Sequence, residues 1–392
     1  MFPKYIFPRR HILQFGLGAL MGTIALAGAK ILPLNRWAQA VESLNRTFAV
    51  DEKLPLKDRS IAKGLIYGAA GRYGDLLNTQ KLADCFVQEC GMLVPEWELK
   101  WFAGEQPLRP GPHQFDFTRA DGMVEFAQAN GLFVRGHTLV WHLSLPDWFE
   151  GIVNSQNARR FLVKHIKTVV GHYAGQMHSW DVVNEAIELN HERDDNLRKT
   201  PWLELLGSNY IDLAFRTAAE ADPHALLVYN DYGLEYDRDT DESKRKAVLK
   251  LLEHLKARGT PIHALGIQSH LQGDATDFNP DRLRRFLSDV ASLGLKILIT
   301  ELDVNDQKLP VDIEVRDRIV AGVYEDYLNV VLDEPAVIAV LTWGLSDRYT
   351  WLSQFNPRSD NAPVRSLPFD DQFNRKLAWN AMARAFDNAR NR

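Results

Sequence analysis

Glu185 lies in the run Trp180-Asp181-Val182-Val183-Asn184-Glu185-Ala186, and Glu301 lies in a second, Lys296-Ile297-Leu298-Ile299-Thr300-Glu301-Leu302-Asp303. The Val and Ile pairs suit the interior of a sheet, whereas Asn and Glu are poor residues to bury. Each carboxyl therefore falls where a buried strand opens into a loop. Two carboxyls presented in this way suit glycoside hydrolysis, in which one protonates the departing oxygen and the other attacks the sugar or activates water. Taken alone, Asn184-Glu185 fits a helix N-terminus equally well, since Asn caps and Glu favours the first turn. Glu301 tips the balance.

The elements that must position these residues recur along the chain. Short aliphatic runs at 64–69, 92–95, 132–137, 179–183, 225–230, 264–268, 296–300 and 337–343 predict eight strands. Amphipathic stretches at 76–90, 118–130, 157–173, 209–221, 241–258, 280–293, 312–332 and 374–388 predict the helices between and after them. Strand and helix alternating eight times is the pattern of an α/β protein of the (β/α)8 TIM-barrel class. A doubly wound open sheet would alternate similarly, but Gly68-Ala69-Ala70-Gly71-Arg72-Tyr73-Gly74 lacks the spacing of a dinucleotide-binding turn. No Pro/Ser-rich linker, repeat or low-complexity tract marks an appended module, so residues 61–390 read as a single catalytic domain and 41–60 as a polar lead-in.

Residues 1–40 read as an export signal. Arg9-Arg10-His11-Ile12-Leu13 followed by a Gly/Ala-rich apolar run resembles a twin-arginine leader, with cleavage sites at Ala27-Gly28-Ala29 or Ala38-Gln39-Ala40. A membrane anchor is the alternative, but the small residues weaken the run. The reading is thus a periplasmic or extracellular protein with no membrane contact after signal removal. Net charge is −5, and without the five basic residues of the leader 41 basic residues stand against 51 acidic ones, a balance of −10. That argues against nucleic acid as a partner. Cys85 and Cys90, five apart on a predicted helix, do not share a face, which argues against a disulfide, and two cysteines do not make a zinc cluster. Of the ten tryptophans, most are expected in the core, with Trp202 and Trp379 assigned there.

In a barrel the site is built where strands end. The residues there are Glu96, Trp97, Glu98 and Lys100; His137, Trp141 and His142; Asn184 and Glu185; Asn230, Asp231 and Tyr232; Gln268 and His270; Glu301 and Asp303; and Trp343, Asp347 and Trp351. Hydrogen-bonding groups interleaved with aromatic rings suit a neutral polyhydroxylated ligand. Gly136-His137-Thr138-Leu139-Val140-Trp141-His142, Trp180 to Ala186, Asn230-Asp231-Tyr232, Gly266-Ile267-Gln268-Ser269-His270-Leu271, Ile299 to Asp303, and Trp343-Gly344-Leu345-Ser346-Asp347 with Trp351 together resemble the family 10 glycoside hydrolases, mainly endo-β-1,4-xylanases. The six motifs stand in the family's order over about residues 64 to 352.

The resemblance implies a retaining enzyme acting on xylan or xylo-oligosaccharides as a monomer, without cofactor or metal. Glu185 would be its acid/base and Glu301 its nucleophile, with the carboxyls about 5–5.5 Å apart. It also implies that Asn184 bonds the 2-hydroxyl of the sugar under attack and that His270 and Asp303 orient the nucleophile. His137 and Lys100 would line the same sugar site, with Glu96 and Gln268 beside it. Trp141, Trp343 and Trp351 would frame the glycone, Tyr232 the leaving-group side, and Asp181 would orient His137. Two positions depart from the family: Trp97 replaces an Asn that bonds the next sugar out, and Ser144 replaces a frequent Gln.

Bland roles compete for several of these residues. Lys100 alone reads as a solvated surface charge, Asp303 and Asp306 as caps of a helix near Val311, and His142 as structural. The carboxylate pair does not choose the sugar, so a β-1,4-glucanase is an alternative. A non-catalytic binding barrel would be expected to have lost one carboxylate, and an aldolase would want a lysine at the other end of its strand from Lys296.

Overall fold

Runs buried on both faces are what a parallel sheet needs when helices cover its outside, and all residues from Ser179 to Asn184 and from Ile297 to Val304 are buried. The structure is a computed structural model that describes residues 46–104 and 107–392. The segment read as an export signal lies outside the described residues. Among the described residues no helix is long and apolar enough to cross a membrane.

Strands β1 (Ile66–Gly71), β2 (Met92–Pro95), β3 (Phe133–Gly136), β4 (Ser179–Asn184), β5 (Leu226–Asp231), β6 (Ala264–Ile267), β8 (Lys296–Asn305) and β9 (Val337–Thr342) pair in parallel around a closed ring. The β6–β8 pairing joins the two ends of the order. An additional short strand, β7 (His270–Gln272), pairs with the far half of β8 and sets His270 opposite Asp303. Val228, Ala264, Leu298 and Ala339 form one cluster along the barrel axis, and Ala70, Met92, Val94, Leu341 and Trp343 another. Small residues among the large ones let the inward side chains interdigitate.

The helices follow the amphipathic pattern. Phe161, Leu162, His165, Ile166, Val169 and Val170 bury one stripe of helix Ala158–His172, and Leu283, Phe286, Leu287 and Val290 one stripe of Pro280–Ser292. The stretch read as one helix over 76–90 is two, Tyr73–Asn78 and Gln80–Glu89, because Thr79 is extended. The helix expected near Val311 begins at Ile313 and is capped by Asp312, whose side chain accepts from Val315 N at 3.0 Å. Asp303 and Asp306 are therefore not its caps. Cys85 and Cys90 are unpaired, and Cys90 ends its helix rather than continuing it.

The lead-in is less polar in use than in composition. Phe48 and Leu56 are buried, and Leu56 N donates to Glu89 Oε2 at 3.0 Å. The same carboxylate accepts from the indole of Trp379 at 3.0 Å and from Arg375 Nε, so the first helix, the second strand's approach and the terminal helix meet on one buried charge. At the other end of the barrel, Asp347 takes Lys376 Nζ at 2.7 Å and Leu367 N at 2.9 Å, and both side chains are buried. This ion pair pins the loop after β9, which carries Trp351. Asp347 thus spends its carboxylate on holding this loop.

Lys376→Met leaves Asp347 buried without its cation, and the expected loss is about 3–5 kcal/mol of unfolding free energy in a urea titration.

Candidate active site

Both carboxylate strands are irregular next to their glutamates. Between Asp181 and Val183 strand β4 carries one residue more than β5, and between Ile299 and Leu302 strand β8 carries one more than β9. A bulge of this kind bends the strand and re-aims the following side chains. Beyond β4 the chain turns through Glu185, whose φ of 57° lies in the left-handed region that non-glycine residues rarely adopt. Glu185 N is held there by Asn230 O at 2.8 Å.

Around Glu301 donors converge. His270 Nε2 lies 3.2 Å from Oε2, and Asn230 Nδ2 donates to Oε1 at 2.7 Å. His270 Nδ1 lies 3.0 Å from Asp303 Oδ1, whose second oxygen accepts from Trp351 Nε1 at 2.7 Å. Burial pushes the His270 imidazole down, but the carboxylates of Asp303 and Glu301 raise it well above its ordinary value, so the ring is cationic at neutral pH. Burial likewise pushes Glu301 up, yet the bond and charge of His270, with the bond from Asn230, hold it down at about 2. Glu301 is therefore ionised at neutral pH.

Glu185 is tuned the other way. Burial raises its carboxyl and the charge of Asp231 adds to the rise, against bonds from Gln268 and the Arg198 charge. Gln268 Nε2 donates to Glu185 Oε1 at 3.1 Å, and Asn184 Nδ2 reaches the same oxygen at 3.2 Å. Asn230 Nδ2 also donates to Asn184 Oδ1 at 2.9 Å, so three amides link the two carboxyls. The orientation of Asn230 is fixed by Thr300, whose hydroxyl donates to its Oδ1 at 2.7 Å. Gly266 on β6 makes room for it: a Cβ there would stand 2.3 Å from Asn230 Oδ1.

On the β2 and β3 side, Asp181 accepts from Arg135 and lies 2.8 Å from His137 Nδ1, which orients the imidazole. His137 packs edge-on against Trp343 at 5.2 Å, and Lys100 Nζ sits over Trp141 at 5.0 Å and Trp343 at 5.8 Å. Lys100 is buried, not a solvated surface charge. Burial pushes its ammonium down while Glu96, Glu301, Glu185 and Glu98 support it. His142 lies beside Trp141 with Nδ1 unpartnered, and burial, with Arg198 and His191 nearby, pushes it down to about 3. It stays neutral and takes no part in the carboxylate network.

Tryptophans behind the loop hold it in place. Trp101 donates to Leu139 O at 2.7 Å and Trp202 to Trp141 O at 3.2 Å. Trp202 and Trp379 are fully buried. At the rim, the guanidinium of Arg72 lies 4.1 Å from the Trp97 ring centroid and donates to Glu96 Oε1 at 2.8 Å. Tyr232 receives Arg198 at 2.8 Å and carries Lys244 over its ring at 3.6 Å. Arg72, Arg135, Arg198 and Thr300 contact these residues, and the pattern of strand ends did not single them out. For Arg135 a signal existed, a cation inside an otherwise apolar strand; for the others the partner is distant in sequence.

A buried acid held ionised, a second pushed toward its protonated form, and polar and aromatic groups above them make a site for acid-assisted displacement at a sugar carbon. The profile describing Glycosyl hydrolase family 10 matches residues 55–385. This chain is a member of that family. As a family 10 glycoside hydrolase it is 37% identical over 317 residues to the Beta-1,4-xylanase of Dictyoglomus thermophilum, covering 77% of this chain and 84% of that one. It is 38% identical over 328 residues to Endo-1,4-beta-xylanase B of Paenibacillus barcinonensis, covering 80% and 91%. Its fold is similar to that of xylanase 10B from Thermotoga petrophila in complex with xylobiose, with a TM-score of 0.77, 32% identity, and 86% and 99% of the two chains covered.

Gly266→Ala is expected to displace the Asn230 amide and lower kcat on a β-1,4-glycan by on the order of 10²-fold, with much less change in melting temperature.

Proposed function

We propose that the chain is an exported, retaining endo-β-1,4-xylanase that works as a monomer without cofactor. The observation that carries the reading is the opposite tuning of two carboxyls joined by one amide network, Glu301 held down at about 2 and Glu185 raised by burial. The xylanase names of its relatives supply the polymer. Residues 1–40 would direct export by the twin-arginine route, and the catalytic domain would span 61–390 with 41–60 leading into it.

In the first step Glu301 attacks the anomeric carbon as Glu185 gives its proton to the departing oxygen, so the glycosidic bond breaks and a glycosyl ester forms. The ester removes the charge of Glu301, and Glu185 is left ionised. Glu185 then takes a proton from water, whose oxygen attacks the same carbon from the opposite face to the ester. The ester bond breaks, Glu301 regains its charge, and the original anomeric configuration is restored. Asn184 would bond the 2-hydroxyl, while His137, Lys100, Gln268 and Glu96 bond the glycone sugars. Trp141, Trp343 and Trp351 would frame them, with Tyr232 on the leaving-group side. His270 and Asp303 act through Glu301, and Asp181 through His137.

Catalysis needs Glu301 ionised and Glu185 protonated. Activity is therefore present above the Glu301 pKa and lost below it, and present below the raised Glu185 pKa and lost above it. A bell-shaped kcat/KM profile on xylan is expected, with its acid limb depressed toward about pH 2 and its alkaline limb above the ordinary carboxylate range. Glu301→Ala abolishes reducing-sugar release. Glu185→Gln lowers it about 10²–10⁴-fold and removes the alkaline limb, and azide restores turnover of an aryl β-xylobioside. Release from cellulose but not xylan would overturn the substrate assignment.

Trp97 takes the place of an amide donor at the second glycone subsite, and Arg72 already occupies one oxygen of Glu96. Linear xylan should therefore bind weakly there. Trp97→Asn is expected to lower KM for linear xylotriose about fivefold, the worth of one hydrogen bond of about 1 kcal/mol. Tight xylotriose binding by the unmutated protein in a calorimeter would contradict this.

A further inference from the structure

The acid/base candidate sits on a backbone conformation that must be imposed. Glu185 has a φ of 57°, and such positions persist where the surroundings over-determine them. Much of that determination comes from one residue outside the strand-end pattern, Arg198. Its Nε donates to Glu185 O at 2.7 Å, its backbone N to Ala186 O at 2.7 Å, and one guanidinium nitrogen reaches Ile187 O at 3.4 Å. Three successive carbonyls after the strand thus converge on a single arginine. The same side chain donates to Tyr232 Oη at 2.8 Å and pairs with Glu188 Oε2 at 3.2 Å, and it is buried.

We propose that Arg198 is a positioning residue for acid/base catalysis, clasping the left-handed turn at Glu185 and placing a fixed cation behind its carboxyl. This rests on Glu185 being the acid/base.

The charges around that carboxyl give the clasp a second consequence. Asp231, on β5, raises Glu185 and Arg198 lowers it. Lys244 holds Asp231 at 2.8 Å and lies over the Tyr232 ring, while Lys100 approaches from the β2 side and Glu301 from β8 through the amides. His142 and Glu188 complete the set facing Arg198. One carboxyl must be protonated for the first step and ionised for the second. Burial serves the first need, and a nearby cation serves the second. Removing the cation leaves a better-retained proton, hence a weaker acid in the first step and a smaller ionised fraction to serve as base in the second.

The test compares Arg198→Met and Arg198→Lys on xylan and on a dinitrophenyl β-xylobioside, whose leaving group needs no proton, with Glu185→Gln and melting curves alongside. Arg198→Met is expected to lower kcat on xylan about ten- to hundredfold and to move the alkaline limb of kcat/KM to higher pH. On the dinitrophenyl substrate its kcat/KM is spared while kcat, set by the base step, falls. Arg198→Lys keeps the limb near its original pH but still loses rate, because the Nε bond to Glu185 O is gone. If the Met variant does not fold, the Lys variant decides: loss on xylan with spared kcat/KM on the dinitrophenyl substrate supports the clasp, and equal loss on both overturns it. An unmoved alkaline limb in folded Arg198→Met overturns the electrostatic part. An alkaline limb that survives in Glu185→Gln would instead show that the assignment of Glu185 had failed.

Discussion

A carboxylate removed from water is stable only where other donors replace the solvent it has lost. At Glu301 that replacement is a cationic imidazole on one oxygen and an amide on the other, and the imidazole is itself held by Asp303. Much of the rest of the site follows from this constraint. Asp303 must be reached by His270, so β7 runs beside the far half of β8 and not within the barrel ring. Its second oxygen needs a donor, and the Trp351 indole supplies it, which requires the loop after β9 to be fixed. The buried Asp347–Lys376 pair does that fixing from the far side of the loop.

Glu185 lives under the complementary constraint. It is linked to Glu301 through Asn184, Gln268 and Asn230, yet its Oε1 meets amides in place of a cation, and burial raises it. Two neighbouring acids whose surroundings drive their pKa values apart are what a division into proton donor and nucleophile would rest on. The amides between them have little freedom. Asn230 is turned by Thr300 and admitted by the missing side chain of Gly266.

The aromatic content also divides by task. Trp101, Trp202 and Trp379 spend their indole donors on Leu139 O, Trp141 O and Glu89, holding loops and chain ends. Trp343 and Trp141 stand over His137 and Lys100 at the site itself. At the rim, Trp97 is paired with Arg72.

The alternation of aliphatic and amphipathic runs was enough to determine a parallel α/β architecture, because strands buried on both faces and helices buried on one stripe have distinct periods. The missing dinucleotide-binding turn pointed to a barrel over an open sheet, and the β6–β8 pairing closes it. The two glutamates and their flanking residues were legible as well, since a carboxyl after a run of Val and Ile has no other good place in a sheet. Tertiary structure decided the rest. Two strand bulges and a left-handed turn at Glu185 aim the carboxyls, and no local pattern announces them, because a bulge exists only relative to the neighbouring strand. The cations that tune the site, Arg72, Arg135, Arg198 and His270, act on partners from 13 to 46 residues away. Sequence fixes which charges the chain owns; electrostatic tuning depends on distance and burial, and those arise only when the strands are brought side by side.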